Sequence, residues 1–125
     1  MSKKKSKDLY PILPLRNTVL FPQQIIPIYV GREQSLELVN NLKGSKNKHI
    51  VVVAQKDSSV EVPDIDDLYQ WGTLANIMKV FDMPDGSKSA IVQGLERVKI
   101  ESKVDNDAYL KAMVTRNQEI FEYGS

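Results

Sequence analysis

At 125 residues, 42% hydrophobic and 26% charged, the chain has the length and composition of one globular domain with enough apolar material for a real core. The lack of cysteine excludes disulfides and thiolate metal sites, and a single histidine, His49, leaves little with which to build a zinc centre. Net charge is +1, split as +5 over residues 1–62 and −4 over residues 63–125. No apolar stretch approaches the ~18 residues that span a membrane, and Pro11, Pro14 and Arg16 interrupt any signal-peptide reading of the segment behind the basic start. A soluble, cytoplasmic protein is the expectation.

Taken in order, Lys3, Lys4, Lys5 and Lys7 form a basic run that precedes any apolar patterning, and residues 1–8 read as a solvated, disordered tail. Leu9 to Val30 holds four prolines, Pro11, Pro14, Pro22 and Pro27. Each removes a backbone donor and fixes φ, so this stretch predicts broken, edge-like strands and a long connection, not helix. Within it Ile26, Ile28 and Val30 alternate, the pattern of a strand with one buried face. The period then changes: Leu36, Leu38, Val39 and Leu42 recur at helical spacing, predicting a helix over about 32–43, with Gly44 where a C-terminal cap belongs. Ile50 to Ala54 is a β-branched apolar run, a central strand.

From Gln55 to Tyr69 the chain is polar and acidic, a surface loop with a helical turn near Asp64–Leu68. A long strand follows over Thr73–Phe81, then a tight turn at Pro84-Asp85-Gly86 and a return through Ser89–Gln93. Gly94 interrupts that return and marks a bulge or bend. Val98 and Ile100 alternate with Lys99 and Glu101, and Tyr109 to Arg116 alternates again. The sum is an α+β, mainly β domain over 9–117. Its six or seven mostly antiparallel strands would curl into a closed or nearly closed sheet, with the one main helix at one end.

The inventory argues against catalysis. Phosphate-cradling glycine loops, nucleophile elbows and paired-histidine zinc motifs are all missing, and no apolar context surrounds a serine–lysine pair to activate it. Asp64, Asp66 and Asp67 could approach a cation, but the glycine and distal glutamate of a calcium loop are not in place. Trp71, Phe81 and Tyr109 are scattered, unlike the interleaved aromatic and basic face of an RNA-binding sheet, and the second half is acidic. What remains is apolar surface. Phe21-Pro22 lies in a proline-bounded connection and Met83-Pro84 at a hairpin tip, where apolar side chains have no evident core role and suit adaptable protein contacts. The bland reading has Phe21 folding back into the core and Met83 incidentally exposed.

Two stretches resemble a known family. Pro11 through Pro22 (P-I-L-P-L-R-N-T-V-L-F-P), continuing through Ile26-Pro27-Ile28 to Val30-Gly31-Arg32 and Ser35, resembles the opening of Lon proteases. Gly72-Thr73-Leu74-Ala75, Pro84-Asp85-Gly86 and Val92-Gln93-Gly94-Leu95-Glu96-Arg97-Val98 resemble the same family's later pattern, and the two together reach from about residue 9 to 116. The resemblance implies a PUA-like pseudo-barrel and a non-catalytic role in recognising unfolded, damaged or degron-bearing proteins for ATP-driven degradation. It implies no cofactor for this chain; ATP and Mg would belong to a parent serine–lysine protease, a homohexamer. Residues 118–125 read as the start of a linker or helical segment, and the chain as a fragment of that parent. Alternatives are a stand-alone interaction module of the same fold, acting as an adaptor or binding nucleic acid. Arg16, Gly31, Gly72 and Gly94 match the family pattern and read as structural, the glycines at turns or bends and Arg16 tying a loop to a carboxylate.

Overall fold

The structure is a computed structural model that describes residues 5–16, 18–42, 48–57, 59–60, 63–104 and 109–117. Its strands are β1 (Lys5–Leu15), β2 (Ile25–Val30), β3 (His49–Ala54), β4 (Trp71–Asp82), β5 (Lys88–Val104) and β6 (Lys111–Asn117). The helix α1 (Glu33–Leu42) lies between β2 and β3, and a short 3-10 turn spans Ile65–Asp67. The expected helix is therefore present, while the Gly44 cap and the 118–125 segment fall outside the described residues. β1 begins at Lys5, ahead of the expected start near Leu9, because its backbone pairs with β6 from Lys5↔Asn117 to Pro11↔Lys111.

All six strands form one sheet in the order β2-β5-β4-β3-β1-β6, and β5 also pairs with β6. That extra pairing closes a ring through β5, β4, β3, β1 and β6, leaving β2 as an edge strand on the first half of β5. Among the described strands β1 with β3 is the one parallel pair. The pseudo-barrel thus has a closed half and an open half, and each has its own core. Ile12, Val51, Val53, Leu74, Val98, Ile100, Ala112 and Val114 fill the closed half. On the opposite face of the same strands Leu13, Leu15, Ile50, Val52, Ala75, Ile77, Ala90 and Val92 pack with Ile28 and Val30. There α1 lays Leu38 and Val39 onto the sheet.

This division explains why β3 is apolar at every position from Ile50 to Val53: it is buried on both faces. It also explains the three prolines inside strands. Ile12 donates its N–H to the Leu110 carbonyl, so by alternation the even residues of β1 face β6, and Pro11 faces the side where β3 pairing has yet to begin. Leu15 accepts from Gln55 on the β3 side, so Pro14 faces the other side, beyond the point where β6 pairing ends. Gly94 donates to the Gln24 carbonyl, so Ile26, Ile28 and Val30 face β5 and Pro27 faces the free edge. Each proline sits where no ladder bond is lost.

β5 can line both cores because its register shifts by one residue. Gly94 pairs with Ala75 but Glu96 with Leu74, so Leu95 is bulged out and the even-numbered side chains change face, Ala90 and Val92 entering one core and Val98 and Ile100 the other. A Cβ on Gly94 would lie 2.3 Å from the Phe21 carbonyl oxygen, so the connection before β2 rests directly on this backbone. The seam between β5 and β6 carries a charge pair in addition to its ladder: Arg116 donates to Glu96 Oε2 through Nε at 2.8 Å and Nη2 at 2.7 Å.

Gly94→Ala must therefore displace backbone, and we expect it to lower the unfolding free energy by about 1–3 kcal/mol. At Gly31 the atoms nearest to an added Cβ all belong to the Tyr29 ring, the closest being Cε2 at 2.5 Å, and an exposed ring can swing away. Gly31→Ala should stay within about 0.5 kcal/mol of the parent. Urea denaturation of both variants measures the contrast, and equal losses would contradict it.

Candidate functional site

Phe21-Pro22-Gln23-Gln24 forms a tight turn. Gln24 donates to the Phe21 carbonyl at 3.1 Å, and the Phe21 N–H donates to Gln24 Oε1 at 3.0 Å. Pro22 presets its second position, and Gln23 takes the third with φ of 70°, the left-handed conformation usually left to glycine or asparagine. The turn is pinned from below: Gln23 donates to the Gly94 carbonyl, Gly94 donates to that of Gln24, and the buried Thr73 hydroxyl donates to the Leu20 carbonyl at 2.6 Å. Leu20 is the residue that enters the core, and Phe21 stays 53% exposed.

The hairpin between β4 and β5 is built from Met83-Pro84-Asp85-Gly86-Ser87. Gly86 donates to the Met83 carbonyl, Met83 donates to Ser87, and Gly86 has φ of 90°. This is a type I turn closed by a left-handed glycine, with proline at its favoured position. The Asp85 carboxylate accepts from the Ser87 hydroxyl and N–H, which holds its pKa below the ordinary aspartate range. That ordering of the tip is fully present above the ordinary range and is lost as pH falls through the lowered value. Lys88 pairs with Asp82 at the base of the tip. Met83 is 43% exposed, and Pro84 is exposed beside it.

These two apolar corners are not neighbours. Gln24 meets Gly94 while Val30 meets Lys88, so Phe21-Pro22 and Met83-Pro84 stand at opposite ends of the β2–β5 ladder, about 20 Å apart at the usual strand rise. Between them lies an apolar sheet face that the chain-order reading passed over. Ile28 and Val30 point into the core, so Ile25, Pro27 and Tyr29 point outward, and all three are exposed, Tyr29 at 73%. Across β5 the outward row continues through Ile91 and Ser89 to Phe81 of β4. Lys79 holds its ammonium 5.3 Å from the centre of the Phe81 ring. The Tyr29 ring lies over Gly31. The signal was available: an edge strand that is apolar at all six positions must expose one apolar face.

The polar candidates are occupied structurally. Asp64 caps the 3-10 turn by accepting from Ile65 and also pairs with Lys103, while Asp67 accepts from the Asp64 N–H. The Lys103 bond and the Ile65 N–H keep the Asp64 pKa low. Arg16 donates to the Val60 carbonyl at 3.4 Å, so it ties a loop to main chain and not, as expected, to a carboxylate. His49 sits half-buried in β3 opposite Asn76. Among the described residues no helix is long and apolar enough to cross a membrane.

Relieving the strained third turn position should help the fold. Gln23→Gly is expected to raise stability by about 1 kcal/mol, read as a higher urea midpoint; a lower midpoint would show that the Gln23 side chain is needed there.

Residues 9–122 match the family model described as the ATP-dependent protease La (LON) substrate-binding domain. Over 121 residues the chain is 40% identical to the Lon protease of Cytophaga hutchinsonii, covering 96% of this chain and 15% of that one. It is 38% identical over 102 residues to the Lon protease of Escherichia coli, covering 82% of this chain and 13% of that one. The chain thus spans about 15% or less of the length of these curated relatives. In fold it superposes on the N-terminal domain of Mycobacterium avium complex Lon protease with a TM-score of 0.65 at 17% identity, over 89% of this chain and 54% of that one. The Lon N-terminal domain protein from Xanthomonas campestris gives 0.66 at 19% identity, over 88% and 59%. On the extent of the family match and the identity to these relatives, the chain belongs to the Lon substrate-binding domain family.

Proposed function

We propose that this domain captures exposed apolar segments of unfolded or degron-bearing proteins and presents them, in the cytoplasm, to the rest of an ATP-dependent Lon protease for quality-control degradation. The observation that carries the reading is the outward face of β2 and β5, with Ile25, Pro27, Tyr29 and Ile91 running on to Phe81 and flanked by Phe21-Pro22 and Met83-Pro84. Family membership supplies the class of ligand, and the apolar face supplies the chemistry.

An unfolded segment that docks here gives up conformational freedom, so each contact is weak. A homohexameric parent would place six such faces around one entry and raise the effective concentration of sites, so that weak contacts suffice. In the same reading ATP, Mg and a serine–lysine proteolytic centre belong to other parts of the parent. This domain contributes binding alone.

Replacing Phe21, Tyr29 and Met83 together by serine tests the assignment. Binding of a permanently unfolded protein, followed by fluorescence anisotropy, is expected to weaken at least about tenfold, with the melting temperature nearly unchanged because all three side chains are exposed. Unchanged affinity would remove this face from the reading. Salt-sensitive RNA binding without affinity for unfolded protein would replace it with the nucleic-acid alternative.

A further inference from the structure

The open half of the pseudo-barrel has a seam. Among the described residues β2 pairs on one side only, with β5, and β6 pairs with β1 no further than Pro11. The free edge of β2 and the far edge of β1 therefore border one groove of about 1060 Å³, lined by Pro14, Leu15 and Arg16 on one side, Pro27 and Tyr29 on the other, and the first turns of α1. Both borders carry a proline at a position that faces the groove. On β2 the residues whose backbone faces the free edge are Ile25, Pro27 and Tyr29, on β1 the residue beyond Ile12 that does so is Pro14, and of these Pro14, Pro27 and Tyr29 line the groove. Proline has a carbonyl but no N–H, so the centre of each border can accept a hydrogen bond and cannot donate one.

We propose that Pro14 and Pro27 determine how clients are read: they deny the seam to β-strand addition, so that an extended segment is held by its side chains on the apolar face and not by its backbone. The inference rests on the capture function proposed above and specifies its mode. A domain that meets unfolded chains is exposed to the hazard of edge strands, since any β-prone segment, including one from a second copy, could extend the sheet. A proline at the middle of β2 leaves only Ile25 and Tyr29 as outward donors, separated by a gap, and its counterpart across the groove prevents β1 from supplying the missing bonds. Both prolines keep their neighbours' ladders intact, so they act on what may be added to the sheet and not on the sheet itself.

The test pairs the protein with an alternating apolar peptide and with the same peptide carrying N-methyl groups on alternate backbone amides. The parent domain is expected to bind both within about twofold, because side chains carry recognition. Pro27→Val restores a donor at the centre of the edge and should bind the unmethylated peptide about fivefold more tightly, with N-methylation abolishing the gain. Independently of any client, Pro27→Val should self-associate in sedimentation velocity at concentrations where the parent sediments as a monomer. Pro14→Ala and Pro27→Ala, with lower strand propensity, should show the same trend more weakly. Loss of parent binding on N-methylation would overturn the proposal while leaving capture intact. If neither peptide binds, the capture reading fails, and the sedimentation arm still decides: a Pro27→Val variant that folds and remains monomeric would overturn the role of the prolines.

Discussion

The structure depends on one long strand serving two cores. β5 runs for 17 residues, and a regular strand of that length would keep the same parity from end to end. Bulging Leu95 out beside Gly94 turns the even-numbered side chains to the other face, so Ala90 and Val92 pack under α1 while Val98 and Ile100 point into the closed ring. The same point receives the Phe21–Gln24 turn, whose backbone lies too close for any side chain but hydrogen at position 94. Closure of the barrel, covering of the open half and placement of Phe21 are thus set at one place in the chain.

From that constraint follows an asymmetry between the halves. The closed half has paired edges among the described strands and carries the ion pairs of Arg116 with Glu96 and of Asp64 with Lys103. The open half has a free edge, a groove and an outward apolar face that no described residue covers. Both halves have a buried core, but only the open half leaves an apolar sheet face uncovered among the described residues.

Much of this was legible in the sequence for identifiable reasons. The helix showed itself through the spacing of Leu36, Val39 and Leu42, the β4–β5 hairpin through Pro84-Asp85-Gly86, and the bulge through a glycine interrupting an alternating run. Motif pairs spread over most of the chain made the family readable as well. β1 was harder: its prolines argue locally against a regular strand, and only the positions where β3 and β6 pairing begin and end make them harmless. The alternation of Ile26, Ile28 and Val30 pointed to the buried set, but nothing local to Ile25, Pro27 and Tyr29 shows that their side is left uncovered, since a strand buried on both faces is apolar throughout as well. Phe21 and Met83 stood out as apolar residues at turns, yet nothing local to either reveals that they bracket one ladder.

Isotope-labelled domain titrated with a permanently unfolded protein would probe the central claim most directly, by mapping amide and side-chain signals along the chain. The account predicts the largest shifts at Phe21, Ile25, Tyr29, Phe81, Ile91 and Met83, the outward side of the β2–β5–β4 sheet. Shifts confined to the closed half, around Trp71, Lys99 and Thr115, with this face silent, would contradict it.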